Sequence, residues 1–269
     1  MIECHESLKP LMEGSDPWQT IFSLQGTLFR DLPRRKTLCF EFEGKQYFAK
    51  LHYGVGWREI IKNICSLRLP VISAKPEWLA IKALHRLNVN TMQTVAFGIR
   101  YQQNPAYTQS FLITKALNNT VSLEELCQHW IEQPPSFTFK YYLLKQVANI
   151  AHTMHAAGIN HRDFYICHFL LDCTNQQLFL IDLHRAQRRR VVPQRWLIKD
   201  LGSLLFSALD IGLTLRDCLR FMKIYHAQPL RVCMIEHKNL WRAVIKRAQY
   251  LYYKMHGRYS KHVSVTNLI

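Results

Sequence analysis

Two aspartates in the middle of the chain, Asp163 and Asp182, are the residues whose setting suggests chemistry. They lie within residues 160–187, NHRDFYICHFLLDCTNQQLFLIDLHRAQ. Asp163 closes the triplet His161-Arg162-Asp163, shortly after a helix end signalled by Gly158. Two short apolar runs follow, residues 169–171 and 178–181, separated by the polar stretch 172–177. That is a hairpin pattern. One aspartate precedes its first strand and the other closes its second, so both carboxylates are aimed at one place. Phosphoryl transfer needs such a pair: one carboxylate for the attacking hydroxyl, one for the metal on the nucleotide.

The elements that must position these groups can be read on either side. Residues 1–23 carry no firm pattern. Residues 27–30 and 35–42 read as strands, the second alternating apolar and polar residues as a half-buried strand does. After the turn Glu43-Gly44-Lys45, residues 46–52 return as the partner strand and place Lys50 within it. Residues 57–69 have helical spacing with basic residues between the apolar ones, which fits either a solvated surface helix or an interfacial membrane contact. Pro76 and Glu77 open a helix over 77–87. Residues 94–101 and 110–114 are two more strands. Beyond residue 116 the pattern turns helical, with helices at 122–130, 139–157, 197–211, 214–226 and 239–255. Ser122/Glu125 and Thr214/Asp217 have capping-box spacing. A basic polar tail begins at Gly257 and is expected to fray. The expected division is therefore 1–116, a small antiparallel β-rich lobe, and 117–269, a larger helical lobe.

Composition narrows the context. At 269 residues and 48% apolar, the chain can bury a real core. A formal charge of +16 calls for an anionic partner. Residues 184–199 hold Arg185, Arg188, Arg189, Arg190, Arg195 and Lys199 and no acid. The eight cysteines form no CxxC pair, so they read as free thiols of a reducing compartment. No signal peptide begins the sequence and no apolar run approaches the ~20 residues of a membrane span. A cytoplasmic protein is expected. No nucleic-acid-binding module is recognised, so charge alone would support that partner and none is expected. His152, His155, His161, Cys167, His168 and His184 crowd the central region, but their spacing matches no zinc pattern.

Taken in order, these motifs resemble the protein-kinase set, which implies an α+β, two-lobed protein-kinase-like fold. His161-Arg162-Asp163 resembles the catalytic loop, with Asp163 as general base and His161 and Arg162 in support. Asp182 stands where the metal-binding aspartate stands. Lys50 resembles the strand lysine that holds the nucleotide phosphates, and Glu77 is its candidate ion-pair partner. Asp200, near the start of a helix, fits the aspartate that braces the catalytic loop. The chain departs from the set at His168, where kinases carry a metal-binding Asn, and at His184, where they carry a Gly. It has no GxGxxG; Arg30, Arg34, Arg35 or Lys36 could cover the phosphates instead.

A narrower resemblance spans nearly the whole chain. Residues 160–171 (NHRDFYICHFLL), 181–187 (IDLHRAQ) and 57–70 (WREIIKNICSLRLP) look like the lipopolysaccharide core heptose(I) kinases of Gram-negative bacteria, as do 34–40, 193–201 and 210–216. Tyr165 to His168 and Asp182 to Gln187 are specific, and ordinary protein kinases lack them. His168 and His184 are usual in that family, whereas Lys115 stands where an acid is expected. The resemblance implies phosphorylation of O-4 of the first heptose of the inner core, with ATP and Mg²⁺. It implies an acceptor built on lipid A at the cytoplasmic face of the inner membrane, hence peripheral association there, and a link to acyl carrier protein. Arg185, Arg188, Arg189 and Arg190 would meet the acceptor's phosphates and carboxylates. A kinase acting on protein or another small molecule is the alternative.

Overall fold

The computed structural model describes residues 1–13, 16–32, 34–65 and 72–260. The chain divides into two compact units. The first comprises residues 1–83, 91–118 and 183–185, and the second 84–90, 119–182 and 186–269.

The first unit is built on a six-stranded antiparallel sheet. Its strands are β1 (Ile2–Cys4), β2 (Thr27–Leu32), β3 (Arg35–Phe42), β4 (Lys45–His52), β5 (Thr94–Arg100) and β6 (Gln109–Lys115), in the order β1-β5-β6-β4-β3-β2. β3 and β4 are joined by Glu43 and Gly44, both at positive φ (49° and 69°). That conformation matches the twist of a two-residue hairpin and suits Gly44. Alternation then sets the two faces of β4. Tyr47, Ala49 and Leu51 are buried in the cluster that holds Leu38, Phe40, Phe111 and Ile113, which leaves Lys50 on the opposite face.

Residues 5–13 and 16–23, which have no readable period, cover the cluster side of this sheet. Leu8 lies in a 3-10 turn just before α1 (Lys9–Met12), and α2 (Pro17–Phe22) supplies Trp18 and Ile21 to the same cluster. α4 (Lys75–Arg86) brings Trp78 against Phe97, with ring centroids 4.3 Å apart. The expected helix over 57–69 is α3 (Gly56–Cys65); its last residues, from 66, lie outside the described ones.

The second unit is mainly helical: α5 (Leu123–Leu126), α6 (Phe137–Ala156), α7 (Gln194–Ser207), α8 (Leu215–His226), α9 (Leu230–Glu236) and α10 (Lys238–His256). α6 buries Leu143, Val147, Ile150, Ala151 and Met154, the stripe its 3.6-residue period dictates. Thr214 and Asp217 form a complete capping box at the start of α8. At α5 only half of that motif is made: Ser122 accepts from Glu125 N, and the helix ends at Leu126 rather than running on to 130.

Short strands complete the unit. β9 (Phe169–Asp172) and β10 (Leu178–Leu180) form the expected hairpin, extended by β7 (Thr120–Ser122) on β9. β8 (Ile159–Asn160) pairs with β11 (Gln187–Arg188). β1, β7, β8, β11, α1, α2 and α9 have no counterpart in the sequence reading. The four strands are two or three residues long and carry no period of their own.

Candidate active site

In the second unit the triplet His161-Arg162-Asp163 emerges from β8 and is held by one buried carboxylate. Asp200, fully buried, accepts from His161 N at 2.6 Å and from Arg162 N at 2.8 Å. Asp200 is the seventh residue of α7, not near its start: the helix begins at Gln194. It therefore cannot act as an N-terminal helix charge, and its hydrogen bonds go to the loop instead. His155 Nε2 lies 3.4 Å from Asp200 Oδ2, and its Nδ1 lies 2.9 Å from the Tyr225 hydroxyl. A chain of polar contacts thus runs from α8 through α6 to the loop. Burial, then the nearby Asp200, pushes the Tyr225 hydroxyl well above the ordinary tyrosine range, so it stays protonated and can donate.

The loop stores strain. Arg162 has φ of 76° and Asp182 φ of 60°. Asp tolerates the left-handed region, but for Arg it costs of order ~1–3 kcal/mol. The two charge-assisted bonds to Asp200, ~1.5–3 kcal/mol each, are enough to hold it. His161 Nε2 donates to the Ile181 carbonyl at 2.9 Å, which ties the loop to the residue before Asp182. Because the ring is buried, its pKa is lowered, and Asp200 and the Ile181 bond only partly oppose that. His161 is a neutral, structural imidazole.

His168 faces both aspartates. Its Nδ1 is 2.7 Å from the Asp163 carbonyl oxygen. A carbonyl only accepts, so Nδ1 carries the hydrogen in the neutral ring and Nε2 keeps a lone pair. That Nε2 stands 3.6 Å from Asp182 Oδ2. Two acceptors face each other at a distance that suits a cation held between them. An oxygen plus one imidazole nitrogen is a sparse set for Mg²⁺, but Mg²⁺ usually keeps waters and phosphate oxygens as its other ligands. The residues fit such an ion. Among the described residues no group of three or more His, Cys, Asp or Glu converges as a metal cage. The histidines that crowd the sequence bond to protein groups instead; His152 Nδ1, for example, lies 2.7 Å from the Tyr225 carbonyl. Cys167 is a protonated thiol, pushed up to about 11 by burial and then Glu124.

In the first unit Lys50 Nζ lies 2.5 Å from Glu77 Oε1. Glu77 is 1% exposed. A buried carboxylate of this kind is tolerated only with a cation beside it, so the pair fixes the lysine head in place. His52, two residues on, is held neutral: burial, then Arg35, Lys50 and His184, lowers its pKa to about 3. Arg185, in a short 3-10 turn, also belongs to this unit.

Arg188, Arg189 and Arg190 belong to the second unit. Arg189 donates from Nη1 to Asn160 and from Nη2 to Gln187. Asn160, Gln187, His155, Tyr225 and Trp196 all shape the site, and the sequence reading assigns none of them such a part. For Tyr225 no local signal exists, since its partner is 70 residues away. The second unit also holds a partly open apolar cavity of about 120 Å³, lined by Leu143, Val147, Leu204, Phe221, Met222 and Ile245 among others.

An antiparallel sheet carrying a lysine–glutamate pair, together with a carboxylate-braced His-Arg-Asp loop followed by a second aspartate, defines a protein-kinase-like phosphotransferase. The sequence model of the lipopolysaccharide kinase (Kdo/WaaP) family matches residues 19–225, and the chain belongs to that family. It is 48% identical over 246 residues to the lipopolysaccharide core heptose(I) kinase WaaP of Escherichia coli, covering 89% of this chain and 92% of that one. It is 46% identical over 253 residues to the protein of the same name from Pseudomonas aeruginosa PAO1, covering 92% and 94%. A solved structure described as WaaP in complex with acyl carrier protein superposes with a TM-score of 0.82 at 41% identity, over 94% of this chain and 99% of that one. Membership in a kinase family implies ATP as the phosphoryl donor. No helix among the described residues is long and apolar enough to cross a membrane.

Proposed function

We propose that this chain transfers the γ-phosphoryl group of ATP to O-4 of the first heptose (HepI) of the lipopolysaccharide inner core. The observation that carries the reading is the Asp200-braced loop presenting Asp163, in a chain whose curated relatives are named heptose(I) kinases. Asp163 accepts the proton of the attacking hydroxyl and orients it in line with the γ-phosphorus. Lys50, fixed by Glu77, neutralises charge on the nucleotide phosphates. Mg²⁺, when bound by Asp182 Oδ2 and His168 Nε2, would supply the remaining charge neutralisation. His161 and Arg162 hold the loop in place through Ile181 and Asp200. Arg185, Arg188, Arg189 and Arg190 engage anionic groups of the acceptor, for which guanidinium forks are suited.

The acceptor's lipid places the protein at the cytoplasmic face of the inner membrane, as a peripheral protein attracted by its positive charge. Acyl carrier protein is a proposed partner. Its acidity suits the +16 of this chain, and the apolar cavity of the second unit has the chemistry to take an acyl chain.

The test uses the purified chain, labelled ATP, Mg²⁺ and either heptose-terminated core oligosaccharide or a protein mixture. Label should appear on the oligosaccharide, with the new phosphate at O-4 by NMR. Asp163→Ala should lower turnover ~10²–10⁴-fold with nucleotide affinity retained. Label confined to protein, or an unchanged rate in Asp163→Ala, would overturn the reading.

A further inference from the structure

Trp196, the third residue of α7, has four cations packed around its indole ring. The guanidinium carbons of Arg162, Arg189 and Arg195 lie 4.9, 5.6 and 5.5 Å from the ring centroid, and Lys199 Nζ lies 5.4 Å from it. A ring has two faces, and a cation–π contact at an exposed site is a weak attraction. Arg189 and Arg195 are two like charges within about a Debye length of each other, ~10 Å at 0.1 M salt, and repel more than one indole can repay.

Arg189 and Arg195 are not neutralised locally. Residues 183–199 contain no Asp or Glu. The side-chain partners of Arg189 are the neutral amides of Asn160 and Gln187. Among the described residues neither Arg189 nor Arg195 pairs with a carboxylate. Burial, and then the field of Arg195, holds the Arg189 pKa below its ordinary value. The same residues 183–199 contain no Ser, Thr or Tyr, so that segment cannot bring a phosphate to the cluster by being phosphorylated itself.

The cluster is also built onto the catalytic loop. β11 pairs with β8, matching Gln187 to Asn160 and Arg188 to Ile159. Arg189 N donates to the Gly158 carbonyl at 2.8 Å. Gly158 sits at φ 77°, and a Cβ there would overlap the Arg189 carbonyl. Arg162, buried, precedes Asp163 directly, while Arg195 is exposed. The cations therefore form a graded path from solvent to the residue beside the proposed base.

We propose that Arg162, Arg189, Arg195 and Lys199, gathered round Trp196, are a binding site for an anionic group of the acceptor, a phosphate monoester or a sugar carboxylate, and so select acceptors that carry one close to the reacting hydroxyl. This rests on the reading of the chain as a kinase of an anionic glycan and adds the recognition site to it.

The test compares wild type with Arg195→Gln/Lys199→Gln, both outside the catalytic groups. Each is assayed on intact core oligosaccharide, on the same acceptor dephosphorylated, and on the acceptor with its carboxyl groups reduced. The double variant should raise the acceptor KM ~10-fold or more, the weight of about one charge-assisted hydrogen bond, with kcat and the KM for ATP within about twofold. Wild type should lose a similar factor on whichever stripped acceptor lacks the recognised group, and the variant should be indifferent to that stripping. An unchanged acceptor KM, or a variant that keeps the wild-type preference for the intact acceptor, overturns the site. Should wild type transfer no phosphate to these acceptors, the proposed function fails instead. Calorimetric titration with inorganic phosphate then still decides the site: binding weakened in the variant supports it, and equal or absent binding in both proteins overturns it.

Discussion

His168 is where the site departs most from ordinary protein kinases, and its geometry gives the departure a role. A hydrogen bond from Nδ1 to the Asp163 carbonyl directs the Nε2 lone pair at Asp182 Oδ2. A single side chain thereby connects the backbone of the proposed base to the proposed metal ligand. Asp182→Asn should retain the fold and lose the Mg²⁺ dependence of nucleotide binding, read by calorimetry with and without the ion. If that variant binds Mg²⁺-nucleotide as wild type does, Asp182 is removed from the metal site. Lys50 and Glu77 are paired by resemblance rather than by spacing. No period in the sequence links positions 27 residues apart, and their 2.5 Å approach is a product of the folded sheet and α4.

At the scale of elements, α7 is the part on which the loop depends. Its buried Asp200 meets three groups at once: two backbone amides of a strained loop and the His155 ring. Asp200→Asn keeps the size but exchanges a charged acceptor for a neutral one with a single acceptor oxygen. Stability should drop by ~1–3 kcal/mol, and kcat should fall more than ~10-fold while the KM for ATP holds, measured by denaturant unfolding and steady-state kinetics. Full activity would show that Asp200 does not position the loop. The resemblance singles out Asp200, yet the sequence pattern sets it near a helix start. Helix boundaries are weakly encoded when, as here, Pro193 precedes the first turn without a side-chain cap. Where a cap is strong, as with Thr214 and Asp217, the start of the helix is legible to the residue.

For the whole molecule, buried and half-buried histidines make acid the expected route to unfolding. His52 in the first unit is held at about 3, by burial and then Arg35, Lys50 and His184. His226 in the second is held at about 4, by burial and then His237 and His152. His161 is lowered in the same direction. In each case the unfolded chain binds a proton more readily than the folded one. Their contribution is therefore complete above the ordinary imidazole value of 6.5 and is lost as pH falls toward 4 and then 3. Thermal melts should show Tm falling steeply between pH 6.5 and 4, and His52→Gln should flatten part of that fall. A Tm independent of pH over this range would contradict the assignment of neutral imidazoles. Net charge adds to the trend, since protonating a chain already at +16 increases self-repulsion.

The sequence by itself determined whatever local chemistry dictates. Alternation set the faces of β3 and β4, Glu43-Gly44 their turn, the apolar stripe the buried side of α6, and the order of Lys50, Asp163 and Asp182 the class of reaction. Only the tertiary structure decided how distant groups meet. It laid Leu8, Trp18 and Ile21 of the patternless N-terminal stretch over the sheet, joined Asn160 to Gln187 through strands of two residues, turned Asp200 onto the loop, and gathered Arg162, Arg189, Arg195 and Lys199 around Trp196. The physical reason is range. A period or a cap acts over a few neighbouring residues, whereas these contacts join positions made adjacent only when the core closes.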